Sequence, residues 1–255
     1  MSDRPSNVSE IGVPPKEYSQ KNQRCNRAGQ PMFYCSDHPS APLAEVGVKV
    51  GDRVVISQWI TTKPLLVMQV GYSQETFDKL GIRKPRAPEW MNVPDTIPRG
   101  GEESHREVNS YLSDLFTERV PDGDEHLYVP SIAIAEAILS YDPMDHLGLF
   151  PEDPDMKAEG IIYPTVALRA SCENLALRAE FAHEALLLEA ADFVEVVDID
   201  PQSLFKCKYL GSVTAWRHPG LLLWGNVPFE KRVSGWQVLI DEPPKQITRL
   251  PGSHT

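Results

Sequence analysis

The helical period is clearest near the middle of the chain. Val108, Tyr111, Leu112, Leu115 and Phe116 fall at i, i+3, i+4, i+7 and i+8, flanked by Glu107, Asp114 and Glu118, which predicts an amphipathic helix with one apolar stripe. Pro121-Asp122-Gly123 stops it. Ser131 then offers an N-cap for a second, mostly buried helix through Ile132, Ile134, Ala135, Ile138 and Leu139. Runs rich in β-branched and apolar residues, Arg53 to Trp59 and Leu65 to Val70, flank Thr61-Thr62-Lys63-Pro64 and predict an antiparallel pair in the central sheet. Gly160 to Pro164 reads as a short strand. Phe181 to Ala191 suits a helix, and Phe193 to Asp200 alternates like a half-buried strand.

Between these elements the pattern lapses. Residues 1 to about 20 are polar and carry Pro14-Pro15, so an N-terminal arm over 1–14 is expected to be flexible, with no fold of its own. Prolines and charges dominate from Lys84 to Gly101, a surface excursion that Trp90 and Met91 would pin down. Asp142-Pro143 and Pro151 to Asp155 mark an exposed acidic loop. Beyond residue 200, Tyr209, Trp216, Leu221 to Trp224 and Trp236 to Ile240 predict extra strands or a packed C-terminal extension over 201–255, aromatic enough to serve as an interface.

With 255 residues, 41% hydrophobic content and 23 prolines, the chain suits one domain with extensions and long irregular connections. A formal charge of −11 with no basic stripe argues against nucleic acid as a partner, because phosphate backbones are held by clustered Lys and Arg. Cys25, Cys35, Cys172 and Cys207 lack metal-binding spacing and are expected as free thiols. No run has the length of a signal core or a membrane span, so a soluble, cytoplasmic protein with no membrane partner is expected. The seven histidines are scattered without ligand spacing, so no metal is expected. GxGxxG, GxxxxGK[ST] and GxSxG are all absent, which removes the usual sequence grounds for a Rossmann site, a P-loop or a nucleophile elbow.

The richest chemistry lies early. Within Gln23 to Ser36 and Ala41 to Val46 the chain places a guanidinium, an amide, a phenol and a carboxylate across a Gly-Pro turn, a brief strand ending near Tyr34 and the start of a helix. Taken singly these residues have ordinary readings: Arg24 a surface charge, Tyr34 a core aromatic, Glu45 a solvated helix carboxylate, Thr165 a cap after Pro164. Their joint spacing is more specific. Arg24, Asn26, Gly29, Pro31, Tyr34 and Ser36, with Glu45 eleven positions after the Tyr, resemble the first half of a RES domain. Gly160 to Ala167 and Asn174 to Leu177 resemble that family's later Tyr-Pro-Ser and Asn-Leu-Ala-Leu stretch. Two departures are visible: Thr165 stands for the family Ser and Gln23 for a Gly that often precedes the Arg.

The resemblance implies an α+β fold of ADP-ribosyltransferase-like type, a mixed sheet with flanking helices, for a RES domain over 15–200. It implies breakdown of NAD+ by phosphorolysis or hydrolysis, with NAD+ and inorganic phosphate as substrates and no bound cofactor, and commonly a toxin held by a cognate antitoxin protein. Transfer of ADP-ribose to a macromolecule, or an inactive homologue that binds nucleotide or partner, are the alternative implications; self-association into a homo-oligomer stays open. Cleaving the nicotinamide–ribose bond builds positive charge on the sugar, so the site needs a carboxylate there. On this reading Glu45 stabilises that charge or holds a ribose hydroxyl, and Arg24 pairs with pyrophosphate or incoming phosphate. Tyr34 packs on nicotinamide or ribose, the Thr165 hydroxyl touches phosphate or ribose, and Asn26, Ser36 and Asn174 help bind substrate.

Overall fold

Alternation along short apolar runs builds the sheet that carries these residues. In a computed structural model, residues 4–72, 102–140, 157–165, 167, 172–200, 204–217, 220–225 and 237–239 are described, with the backbone alone at 102–106, 214–217 and 237–239. The architecture is α+β with two sheets, and the chain divides into two compact units, one of residues 12–47 and 61–187, the other of 1–11, 48–60 and 188–255.

In the first unit the strands β1 (Met32–Ser36), β3 (Val67–Gln69), β4 (Gly160–Pro164) and β5 (Glu173–Arg178) lie in the order β1-β5-β4-β3. β5 runs antiparallel to both its neighbours, and β3 runs parallel to β4. The register lines up Tyr34, Ala176 and Ile161 in one row across the sheet, and Ser36, Asn174 and Tyr163 in another, with the β5 residue in the middle of each. Since side chains repeat every second residue, both rows share one face. That face packs on helices α2 (Glu102–Thr117) and α3 (Val129–Ser140), burying Met32, Phe116, Ala135, Ile161, Tyr163 and Ala176 together. Gly160 is required by this close pairing, because a Cβ there would lie 2.6 Å from Leu177 Cδ2 and 2.7 Å from the Ala176 carbonyl oxygen.

Both predicted helices form, with shifted details. The packed face of α2 runs through Leu112, Ser113, Phe116 and Thr117, while Val108 and Tyr111 are exposed. The helix docks through its C-terminal end, and Thr117 buries its hydroxyl by donating to the Ser113 carbonyl at 2.6 Å. Helix α3 begins at Val129, after a 3₁₀ turn over Glu125–Tyr128, so Ser131 sits inside its first turn rather than at the cap. The shorter helices are α1 (Ser40–Glu45) and α4 (Ala179–Ala185); α4 ends before the predicted Ala191 because the leucines from 186 onward continue as strand.

The second unit holds β2 (Arg53–Thr61), β6 (Leu186–Ile199), β7 (Phe205–Arg217), β8 (Leu221–Gly225) and β9 (Gln237–Leu239), in the order β2-β6-β7-β8 with β9 alongside β7. β2 and β3 are therefore not the antiparallel pair expected from their spacing; they enter different sheets. Pro64 between them has no N–H to close a hairpin, and the Thr62 N–H turns instead to the Ala185 carbonyl at 2.8 Å.

The N-terminal arm also departs from expectation, since residues 4–11 are tied down. Val8 N donates to Gly220 O at 2.9 Å, Leu222 N to Ser6 O at 2.8 Å and Trp224 Nε1 to Pro5 O at 2.6 Å. The physical reason is the free edge of β8, whose unpaired backbone groups accept any extended segment, and Val8 and Ile11 add apolar contact with the Leu188, Ala191 and Leu222 cluster. Asn7 and Glu10 close a reciprocal capping box around the turn that follows. The excursion over 84–101, with Trp90 and Met91, the acidic loop at 142–143 and 151–155, and Trp236 and Ile240 lie outside the described residues.

Candidate active site

Arg24 and Cys25 occupy the tip of a tight turn in which Gln23 and Asn26 exchange backbone hydrogen bonds of 2.9 and 3.3 Å. Gly29, at a φ of 78°, then reverses the chain into β1. Tyr34 lies mid-strand rather than at the strand end, and its hydroxyl closes the turn. It accepts from Cys25 N at 3.1 Å and donates to Asn26 Oδ1 at 2.7 Å, while Asn26 Nδ2 donates to Arg27 O at 3.1 Å. Burial raises the Tyr34 hydroxyl well above the ordinary phenol range, so it acts as a neutral brace. Burial likewise raises the Cys25 thiol to about 12 although Arg24 lies beside it, which removes that sulfur as a nucleophile near neutral pH. All four cysteines are free thiols.

The Arg24 side chain runs inward, and the residue is only 8% exposed. A buried guanidinium needs partners for its charge and its N–H groups. Nη1 donates to Leu115 O at 2.9 Å and Nη2 to Glu118 O at 2.8 Å, two of the carbonyls orphaned at the end of α2, where the helix dipole is negative. Its Cζ stands 5.4 Å from the Tyr128 ring centre and 5.9 Å from that of Tyr163. Ser131, itself buried, donates its hydroxyl toward both Arg24 O at 2.8 Å and Tyr128 O at 3.0 Å, pinning the two backbones together.

Glu45 ends α1 and is exposed. It is nonetheless anchored. Thr165 Oγ1 and Asn174 Nδ2 each donate to Glu45 Oε1 at 2.8 Å, from side chains in residues only 1% and 6% exposed. Among the described residues nothing donates to Oε2. Two buried donors thus hold one oxygen of a solvent-facing carboxylate and leave the other for a visitor. Thr165, where the family has Ser, keeps the hydroxyl in use. It is positioned by its own N–H donating to Cys172 O at 3.0 Å, and Asn174 by the register of β5 between Ser36 and Tyr163.

The two groups meet electrostatically at the tyrosines. Burial raises the Tyr163 hydroxyl well above the usual range, with Arg24 lowering and Glu45 raising it; Tyr128 is raised for the same reasons, burial first, then opposed by Arg24 and reinforced by Glu45. Arg24, Asn26 and Tyr34 therefore form one cluster, and Glu45, Thr165 and Asn174 a second, with Tyr128 and Tyr163 feeling the charge of both. Ser36 joins neither: its Oγ donates to Glu173 O at 2.6 Å and accepts from His38 N at 3.4 Å, fastening the β1–α1 corner. An open hollow of about 440 Å³, lined by Lys16, Glu17, Gln20, Ala28 and Gly29, contains none of these groups.

Pattern alone missed Tyr128, Ser131 in this role, and the carbonyls of Leu115 and Glu118. Tyr163 stands inside the stretch that resembled the family, but nothing local to Tyr128 distinguishes it from an ordinary half-buried aromatic. No match was found among curated proteins or among solved structures. The sequence model of the RES domain matches residues 12–200, which span every residue of both clusters. With most of its length so matched and the motif side chains gathered as described, the chain belongs to the RES domain family.

Proposed function

We propose that the protein degrades NAD+ by breaking the bond between nicotinamide and its ribose, with inorganic phosphate as acceptor. The observation that carries this reading is the anchored Glu45 carboxylate, exposed at one oxygen and fixed at the other by Thr165 and Asn174. As the C1′–N bond lengthens, its electron pair leaves with nicotinamide and positive charge grows on the sugar. A carboxylate held beside that carbon stabilises the charge without having to reorganise at the moment of reaction. A phosphate oxygen then bonds to C1′, giving a phosphorylated ADP-ribose. Arg24 supplies positive field for the anionic substrate, but two of its N–H groups are committed to α2, so it meets phosphate only through its remaining edge. Tyr34 and Asn26 act by holding the Arg24 turn, and Asn174 and Thr165 by holding Glu45.

The test is incubation of the purified protein with NAD+, with and without phosphate, following nicotinamide and the sugar product. Nicotinamide release that requires phosphate, together with a phosphorylated sugar, is expected. Release with water alone identifies a hydrolase, labelling of an added protein a transferase, and no release removes the catalytic reading. Glu45→Gln should lower kcat about a hundredfold, the usual loss for one electrostatic stabiliser. An unchanged rate removes Glu45 from the chemistry. In the toxin setting, expression of the wild type arrests growth and Glu45→Gln relieves it, and a partner antitoxin would bind the folded variant as well as the wild type.

A further inference from the structure

We infer that Tyr128, a residue outside every stretch that carried the family resemblance, is the aromatic wall on which the pyridine ring of the substrate stacks. This rests on the NAD+ reading above. That reading needs a flat surface for nicotinamide beside the sugar carbon, and Tyr34 does not supply it, because its ring packs against the core cluster around Phe116 and Ile161 while its hydroxyl holds Cys25 and Asn26. Tyr163 is 5% exposed, its ring edge-on to Phe116 with centroids 5.9 Å apart, so it is walled into the core. Tyr128 differs on each count. It is half-buried, its hydroxyl makes no hydrogen bond to a described residue, and it shares the Arg24 guanidinium with Tyr163, whose cross-strand neighbour Asn174 holds Glu45.

Its placement is also fixed. The Ser131 hydroxyl bridges the Tyr128 and Arg24 carbonyls and so fixes the backbone that carries the ring, and the Arg24 guanidinium, 5.4 Å from the ring centre, favours the ring's orientation. A preset aromatic surface costs little to order when a ring lands on it. The choice of ring follows from chemistry. The base attached to the carbon that Glu45 serves is nicotinamide, whereas adenine lies beyond the second ribose and both phosphates. Stacking contributes about equally before and during bond cleavage, so it should appear in KM and not in kcat.

The test uses Tyr128→Leu, which keeps apolar bulk but has no π face, and Tyr128→Phe, which keeps the ring. Tyr128→Leu should raise KM for NAD+ about tenfold, with kcat within about twofold of wild type. Tyr128→Phe should retain the wild-type KM. Nicotinamide mononucleotide, which keeps the pyridine ring and lacks adenosine, should show the same loss with Tyr128→Leu. Calorimetric titration of NAD+ into Glu45→Gln and into Glu45→Gln/Tyr128→Leu should show the same tenfold weakening, with turnover suppressed. An unchanged KM in Tyr128→Leu, a Tyr128→Phe variant as impaired as Tyr128→Leu, or a loss confined to NAD+ and absent with the mononucleotide would each overturn the assignment. Wild-type protein that neither binds nor cleaves NAD+ would instead overturn the functional reading beneath it.

Discussion

Arg24 and Glu45 are opposite charges in one family motif, yet the fold treats them in opposite ways. Arg24 is buried, with two helix carbonyls on its N–H groups and two tyrosines near its guanidinium. Glu45 is exposed and has only one oxygen engaged among the described residues. A charge taken out of water must be satisfied by the protein, and its loss then falls on stability. A charge left at the surface but held in place is free to serve a ligand, and its loss falls on activity. The Arg of the motif is thus a structural keystone as well as a source of field, while the Glu is the group most available for chemistry.

The sharpest way to break this contrast is Arg24→Ala. It leaves the Leu115 and Glu118 carbonyls without their buried donor and opens a gap beside Tyr128 and Tyr163, so urea unfolding should show a loss of about 3 kcal/mol. A variant as stable as wild type would mean that Arg24 is a surface-type charge after all. Glu45→Gln, for which the proposed chemistry predicts a heavy loss of activity, should move the unfolding free energy by less than about 1 kcal/mol, since an exposed site tolerates an amide. A large loss there would erase the distinction.

Smaller effects sharpen the picture. Thr165→Val removes one donor to Glu45 while keeping the buried shape; kcat should fall about tenfold, and Thr165→Ser should restore it. Equal impairment by Ser would show that the methyl, not the hydroxyl, is what matters. Smallest of all is a pH effect at the start of β5. Burial raises the Glu173 carboxyl above the ordinary range, partly offset by the Tyr72 hydroxyl donating to it at 2.8 Å. The folded state therefore holds that proton more tightly than the unfolded chain. Its favourable contribution is full below the unfolded pKa and declines as pH rises toward the raised native value. Glu173→Gln should flatten thermal stability across that window, and an unchanged pH profile would mean the carboxyl is not desolvated.

The legible parts were local. Periodicity gave both central helices, and β1, β4, the second half of β6 and the strands past residue 200 follow from apolar runs and alternation, whereas β5 carried no such signal. The failures have physical causes. Val108 and Tyr111 sit on the helical stripe but point to water, because α2 docks through its last turns and the angle of docking is not written in the helix itself. Hairpin spacing suggested that β2 pairs with β3, while Pro64 and competing partners sent them to separate sheets. The polar N-terminal segment was expected to hang free and instead supplies the partner that the β8 edge lacks.

From the chain alone came the identities and spacing of Arg24, Tyr34, Glu45, Thr165 and Asn174, since these are local runs whose residue types already narrow the chemistry. Tertiary structure decided their division of labour. The carbonyls that satisfy Arg24 lie 91 and 94 residues away, and the donors that anchor Glu45 lie 120 and 129 residues away. Burial and hydrogen-bond partners are properties of packing between distant segments, so no window of sequence contains the information that separates a buried, partnered charge from an exposed, available one.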